Sequence, residues 1–317
     1  MKEKSPVIAV LGSLNMDIVV NSTRFPVPGE TIAGQDVHFV PGGKGGNQAV
    51  AAARLGAEVR MIGFVGSDSF GDDLLRSLTD SGVITDGVQR APMATGIASI
   101  VLADNDNQII VVPGANGYCL PANITDLEEQ IAAADILLMQ LEVPLETICC
   151  AAELAKKHHK TVVLNPAPAM KLPDELLQLV DYITPNETEL YALTGLKADE
   201  ASLEEAIDSL LAQGPGCVVA TLGEKGSIYK QKNKTALRMA AYQVEVVDTT
   251  GAGDSYNAAL TFGIASGYDE AAQLQLATSV SALAVTRFGA QPGMPTMEDV
   301  QQFLGNNNEE RNYNFSG

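Results

Sequence analysis

The stretch VDTTGAGDSYNAAL, residues 247–260, sets Asp254 behind Gly251, Ala252 and Gly253, where an apolar-periodic helix begins. The first turn of a helix leaves backbone N–H groups unpaired and carries the positive end of the macrodipole, so an entrance stripped of side chains admits an anion closely. A carboxylate beside such a place suits phosphoryl transfer. The N–H groups would hold the migrating phosphoryl while Asp254 takes a proton from the attacking hydroxyl. The same residues also suit a tight turn followed by a first-turn acid, and this segment alone leaves both readings open.

A second dense motif is PGGKGGNQAVAAARLGA, residues 41–57, where four glycines around Lys44 lead into an alanine-rich helix. Gly43 and its neighbours let backbone approach a ligand, Lys44 offers a cation, and Asn47 offers both a donor and an acceptor. It is not a Walker loop, which needs Ser or Thr after the lysine, and here Gly45 follows Lys44. Nor is GAGDSY a dinucleotide fingerprint, since its third glycine would fall at Tyr256. In GSLNMDIVV, residues 12–20, Asn15 and Asp17 alternate onto one side, an arrangement that suits a polyol and equally an Asx turn. Glu142 ends the run DILLMQLE, and TPNETE puts Asn186 and Glu189 at the opening of a helix.

These residues need a scaffold, and the hydropathy pattern supplies one. Apolar runs at 7–12, 59–66, 135–142, 161–166, 182–187 and 217–223 alternate with amphipathic helices such as 46–55, 71–81, 146–157 and 202–213. That alternation predicts an α/β fold: a parallel, doubly wound sheet with helices on both faces and ligands at the carboxyl ends of its strands. Residues 13–40 carry no helical pattern, and 95–112 read as a hairpin about Asp104 to Asn107. Together they predict a small antiparallel β lid; an edge hairpin of the main sheet is the alternative. The polar run from 305 to 317 reads as a mobile tail after one domain spanning 1–304.

Composition narrows the partners. With 317 residues and 46% hydrophobic content the chain can bury a large core, and 20 basic against 39 acidic residues give a net charge of −19. Such a charge, with no basic patch, argues against nucleic acid and anionic membranes and for a small-molecule partner. The N-terminal apolar run is too short for a signal peptide, and none approaches a membrane span, so a cytoplasmic location is expected. Cys119, Cys149, Cys150 and Cys217 lack metal spacing and read as thiols. His158 and His159 read as cations at a helix C-terminus. Proton transfer falls to a carboxylate or a lysine.

With these motifs in hand, the chain resembles the ribokinase-like family of carbohydrate and nucleoside kinases from residue 7 to about 304. GGKGGNQAVAA and DTTGAGDSYNAAL match its two signatures in order, and LMQLE, LNPAPA, TPNETE and VTRFGAQP are closest to its ribose-specific branch. The resemblance implies a three-layer α/β sandwich with a β lid, a homodimer joined through that lid, and Mg²⁺-dependent transfer of the γ-phosphoryl of ATP to the terminal (O5) hydroxyl of ribose. Deoxyribose, another sugar or a nucleoside is the alternative acceptor, and a sugar-binding regulator without turnover is the rival from another class. It implies Asp254 as base, with Gly251, Ala252 and Gly253 as anion hole. Asn15, Asp17, Gly43, Lys44, Asn47 and Glu142 would hold the sugar. Asn186, Thr221, Gly223 and Gly226 would contact the nucleotide, with Glu189 ordering water around Mg²⁺. An activating K⁺ would sit on the Asp248 side chain and the carbonyls of Thr250, Ala284, Arg287 and Gly289. Gly293 departs from the pattern, standing where a serine oxygen would complete that shell.

Overall fold

In β1 (Val7–Leu11) every side chain is buried, because the strand runs inside a sheet covered on both faces. Ile8 and Val10 enter one core while Ala9 and Leu11 enter the other, as a period of two demands. The computed structural model describes residues 5–104 and 106–307. Along it follow β2 (Asn15–Asn21), β3 (Asp36–Gly42), β4 (Glu58–Gly66), β5 (Ile84–Ala91), β6 (Gly96–Ala103) and β7 (Asp106–Val112). Then come β8 (Ile136–Met139), β9 (Thr161–Leu164), β10 (Tyr182–Ile183), β11 (Cys217–Thr221), β12 (Ser227–Gln231) and β13 (Leu237–Met239). Among the described residues they form a nine-stranded sheet, ordered β13-β12-β11-β10-β9-β8-β1-β4-β5, and a four-stranded sheet, β3-β2-β6-β7.

The large sheet is parallel from β5 to β11, and β12 and β13 extend it antiparallel. The antiparallel edge leaves the sheet mostly parallel, because β11 and β12 are joined by a turn too short for a crossover. One face packs on the helices Lys44–Arg54, Ala252–Ala265 and Glu270–Ala284, the other on Leu145–Lys157 and Leu203–Gln213. The strands expected to reach 142, 166 and 187 end earlier, at Met139, Leu164 and Ile183, the last two just before Pro166 and Pro185, and the freed segments become loops at the sheet's carboxyl edge. The helix expected at 71–81 is Ser69–Asp80, begun where Asp68 accepts the Gly71 N–H at 2.9 Å.

The small sheet stands apart from the large one, so the 95–112 hairpin is not an edge of the main sheet. Its register aligns Asp17 with Val40 and Ala98, and Ala98 with Val111. One face thus carries Asp17, Val19, Ala98, Ile100, Ile109 and Val111. The other carries Ile18, Val37, Phe39, Ile110 and Val112. Residues 22–35 link β2 to β3 without forming a strand, and Asn105, in the expected turn, lies outside the described residues. The helix Met297–Asn307 runs through the point where the tail was expected to start, and the rest of that expected tail, 308–317, lies outside the described residues. No helix among the described residues is long and apolar enough to cross a membrane. The cysteines are unbridged, and His158, at the C-cap of Leu145–Lys157, pairs with Glu128.

Candidate active site

Beside β1 the strand order reverses, with β4 on one side and β8 on the other, and a cleft of about 840 Å³ opens at that edge. It is lined by Asn15 and Asp17 from β2, by Gly43, Lys44 and Asn47 at the start of the Lys44–Arg54 helix, and by Glu142 beyond β8. Asn186 and Glu189 reach it from the loop after β10, and Thr250, Gly251 and Asp254 from the glycine turn. Six residues expected on the sugar therefore share one cavity with the expected base. The lid covers it with Ala98, Ile100, Ile109 and Val111.

Asp254 is buried at the third position of the Ala252–Ala265 helix. Its Oδ2 accepts from Asn47 Nδ2 at 2.9 Å and its Oδ1 from Gln48 Nε2 at 3.0 Å. Burial raises its pKa, and the Lys44 charge with the two amides opposes that rise. Gly251, at φ 76°, caps the helix in the left-handed region, where a side chain would also crowd Ala290. A Cβ on Gly253 would meet nothing within 4 Å, so that glycine leaves open space at the helix start. Among the described residues the Gly251 and Gly253 N–H groups carry no bond within the chain, whereas that of Ala252 donates to the Thr249 carbonyl at 3.2 Å.

Asp17 is only 8% exposed and its carboxylate accepts no hydrogen bond from the described residues. Burial first, then Glu142 and Asp254, push its pKa from 3.8 up to about 7, against the pull of Lys44. Burial lowers the Lys44 pKa, but Asp254, Glu142, Glu189 and Asp17 together outweigh it and hold the ammonium above its ordinary value. Asn47 Oδ1 is likewise buried without a partner. Residues the sequence reading missed support this set. Ser13 Oγ donates to Glu142 at 2.5 Å, and Asn116 fixes Asn15 through a 2.7 Å bond while pairing with the Leu14 backbone. Ser13 lies in the GSLNMDIVV stretch but was passed over there, and Asn116 stands in no motif; only the fold brings them near.

A second cavity, of about 630 Å³, holds the residues expected on the nucleotide: Asn186, Thr221, Gly223 and Gly226. Tyr242, Val244, Val246, Thr278 and Ser281, which no motif announced, complete its wall. Asn186 and Glu189 form a capping box, Asn186 accepting the Glu189 N–H at 2.8 Å and donating its own to Glu189 Oε2 at 2.9 Å. A third space, of about 160 Å³, shares Lys44, Glu189 and Asp254 with the cleft, Thr221 and Gly253 with the second cavity, and Asn186 with both. It links the cleft to the second cavity.

Asp248 does not cap the following helix. Its Oδ1 accepts from Thr250 N at 2.9 Å and its Oδ2 from Gly289 N at 2.9 Å, joining two loops. A Cβ at Gly293 would lie 3.2 Å from the Ala284 carbonyl oxygen and 3.3 Å from that of Arg287. Two of the five oxygens expected to bind a cation, the Ala284 and Arg287 carbonyls, thus converge on that position, and hard oxygen donors suit an alkali ion.

A carbohydrate-kinase model, the pfkB family carbohydrate kinase, matches residues 6–297. The chain is 43% identical over 298 residues to a ribokinase of Bacillus subtilis, covering 94% of this chain and 99% of that one. A ribokinase of Lactococcus lactis subsp. lactis is 41% identical over 298 residues, covering 94% and 96%. The solved structure of Arabidopsis thaliana ribokinase complexed with ribose and ATP superposes with a TM-score of 0.90 at 34% identity, covering 95% of this chain and 99% of that one. The chain belongs to the pfkB family of carbohydrate kinases.

The raised pKa of Asp17 has a consequence for stability. Folded protein keeps its proton to about pH 7 and unfolded chain only to about 3.8, so this group's stabilisation is complete below 3.8 and lost as pH rises through 7. Asp17→Asn removes the charge, so its ligand-free melting temperature should exceed wild type by roughly 3–8 °C at pH 8, with the gap closing towards pH 4. Calorimetric melts across that range are the check, and a gap that does not change with pH refutes it.

Proposed function

We propose that this kinase transfers the γ-phosphoryl of Mg·ATP to the O5 hydroxyl of ribose, giving ribose 5-phosphate and ADP in the cytoplasm. The observation that carries the proposal is the buried Asp254 carboxylate on the passage between an acceptor cleft and a second cavity. Asn47 Oδ1, buried without a partner, and Asp17, a cleft carboxylate 8% exposed with no hydrogen bond from the described residues, support a polyol in the cleft, since an apolar ligand would leave both unpaired. Ribokinase relatives at 43% and 41% identity favour ribose among polyols.

On this reading Asn15, Asp17, Gly43, Lys44, Asn47 and Glu142 hold the sugar with its terminal hydroxyl against Asp254. Asp254 takes that hydroxyl's proton as the oxygen bonds to the γ-phosphorus and the bond to the ADP oxygen breaks. The free N–H groups of Gly251 and Gly253 meet the charge on the migrating group, and Ala252 joins them if its bond to Thr249 opens. Asn186, Thr221, Gly223 and Gly226 hold the nucleotide. Four carboxylates around the Lys44 ammonium give the site an excess of negative charge, which fits a triphosphate that brings a divalent cation. Mg²⁺ supplies charge neutralisation to the phosphates, and Glu189 orders its water.

Asp254→Asn keeps shape and loses the proton acceptor. Its kcat should fall ~10²–10⁴-fold while the ribose dissociation constant stays within about threefold. Coupled ADP release over a panel of ribose, 2-deoxyribose, hexoses and nucleosides, with calorimetric ribose titration, tests both the base and the acceptor. A variant keeping more than about a tenth of wild-type kcat sinks the base assignment.

The Asp248 carboxylate and the carbonyls of Thr250, Ala284, Arg287 and Gly289 would hold K⁺, which would order the turn that presents Gly251 and Gly253. Activity should rise with KCl against a tetramethylammonium control, and Gly293→Ser should lower the half-activating concentration ~3-fold or more by adding an oxygen beside the Ala284 and Arg287 carbonyls. A flat KCl response in wild type removes the cation from the mechanism.

The homodimer proposal rests on the lid. Its inner face covers the cleft, while its outer face leaves Val37 49%, Ile110 69% and Val112 48% exposed, an apolar surface suited to a second copy. Ile110→Asp should convert the sedimenting dimer to monomer; a wild-type monomer at assay concentration refutes the proposal.

A further inference from the structure

We infer that Gln48 is a positioning residue for Asp254: its side-chain amide, oriented from behind by Gln140, engages Oδ1 and leaves Oδ2 as the atom that takes the proton. The inference rests on the proposed function above and assigns the geometry behind its base. Gln48 and Gln140 are fully buried, and neither lines the cleft.

The orientation follows from counting donors. Gln48 Nε2 lies 3.0 Å from Asp254 Oδ1 and 3.0 Å from Asn165 Oδ1, so both amide hydrogens face oxygens. Its Oε1 accepts from Gln140 Nε2 at 2.6 Å. Turned over, the Gln48 carbonyl would face two oxygens and its NH₂ would face the NH₂ of Gln140. Three contacts therefore forbid the flip. The polarity continues outward, since Asn165, with its oxygen towards Gln48, sends its Nδ2 to the Thr184 carbonyl at 3.4 Å.

The far end of the chain carries its cost. Gln140 Oε1 is buried with no partner, and it lies 2.0 Å from where a Cβ on Gly12 would stand. Gly12 thus makes room for an amide whose one bond orients Gln48. Paying for an orphan acceptor at a site away from substrate makes sense if the bond it permits matters elsewhere. Asp254 Oδ2, by contrast, has its donor on Asn47, which lines the cleft. With its donor on a cleft-lining residue, Oδ2 is assigned as the oxygen beside the acceptor.

The groups facing Asp254 are Lys44 at the start of its helix, Glu142 beyond β8, Asp17 on β2 and Glu189 on the helix Glu187–Thr194. Only Lys44 and the two amides favour its charged form. Loss of the Gln48 donor should therefore raise the pH at which Asp254 becomes a base.

Gln48→Met and Gln140→Met keep length and remove the amides. The Asp254 carboxyl is followed by ¹³C NMR titration, assigned with Asp254→Asn, beside kcat/KM for ribose from pH 6 to 8.5. In Gln48→Met the carboxyl should titrate about one unit higher, with a loss in kcat/KM that is largest at pH 6, up to ~10-fold, and shrinks towards pH 8.5, and a ribose KM within about threefold. Gln140→Met should shift in the same direction by less, and it carries the test alone should Gln48→Met fail to fold. A carboxyl titration unmoved in the folded variants, with any rate loss equal at all pH values, overturns the inference. Activity retained in Asp254→Asn overturns the proposed base instead, and is read separately from the titration.

Discussion

The hydrogen bonds from Asn47 and Gln48 to Asp254 join parts of the chain 207 and 206 positions apart, and the fold around the cleft answers to them. A carboxylate taken out of water is tolerable only with donors and a cation in place. The donors come from one helix start, the cation from the same glycine-rich turn, and the acid from the start of another helix packed against it. Gly43 lets this meeting happen. At φ 85° it turns the chain into the Lys44–Arg54 helix, and a Cβ there would stand 2.7 Å from the Asn15 backbone nitrogen. The glycines of this turn thus serve close packing of backbone on backbone as much as any ligand.

The same constraint gives the lid its character. Asp17 belongs to a lid strand, yet it is buried against Glu142 and Asp254, and loss of water first, then the neighbouring carboxylates, push its pKa to about 7. Such a group is held in a state that a ligand's hydroxyls would relieve. A sheet that brings a strained carboxylate over a cleft on one face, and exposes Ile110 and Val112 on the other, is specialised for contact on both sides.

Elements with long, regular periodicity were legible in the sequence, as the helices at Leu145–Lys157 and Leu203–Gln213 and the strand Val7–Leu11 attest. The two glycine motifs were legible because stripping side chains from a helix start is a strong local signal. What could not be read was supplied by the fold. Gln48 looks like any polar residue on an alanine-rich helix, and Gln140 sits at the end of an apolar run; their partnership exists only because β8 lies beside β1. Tyr242 and Val244 on the second cavity's wall carry no pattern, since an irregular segment has no period to detect. Strand ends were misjudged at Leu164 and Ile183, where a following proline, not hydropathy, decided them.

The Lys44–Arg54 helix ties these parts into a closed circuit. Its first turn bears Lys44, Asn47 and Gln48, and at its other end Arg54 donates from Nη1 to the carbonyls of Gln291 and Met294, both at 2.7 Å. That segment follows Gly289, whose N–H donates to Asp248, and Asp248 in turn accepts from Thr250 at the glycine turn that leads back to Asp254. Each link is a hydrogen bond to a charged group, shorter in tolerance and stronger than a neutral one. A rigid helix with the donors to Asp254 at one end and the clamp on the Gly289 loop at the other constrains the glycine turn from both sides. The open space at Gly253 is therefore held at a fixed distance from the carboxylate, which is the preorganisation that transfer of a charged group requires.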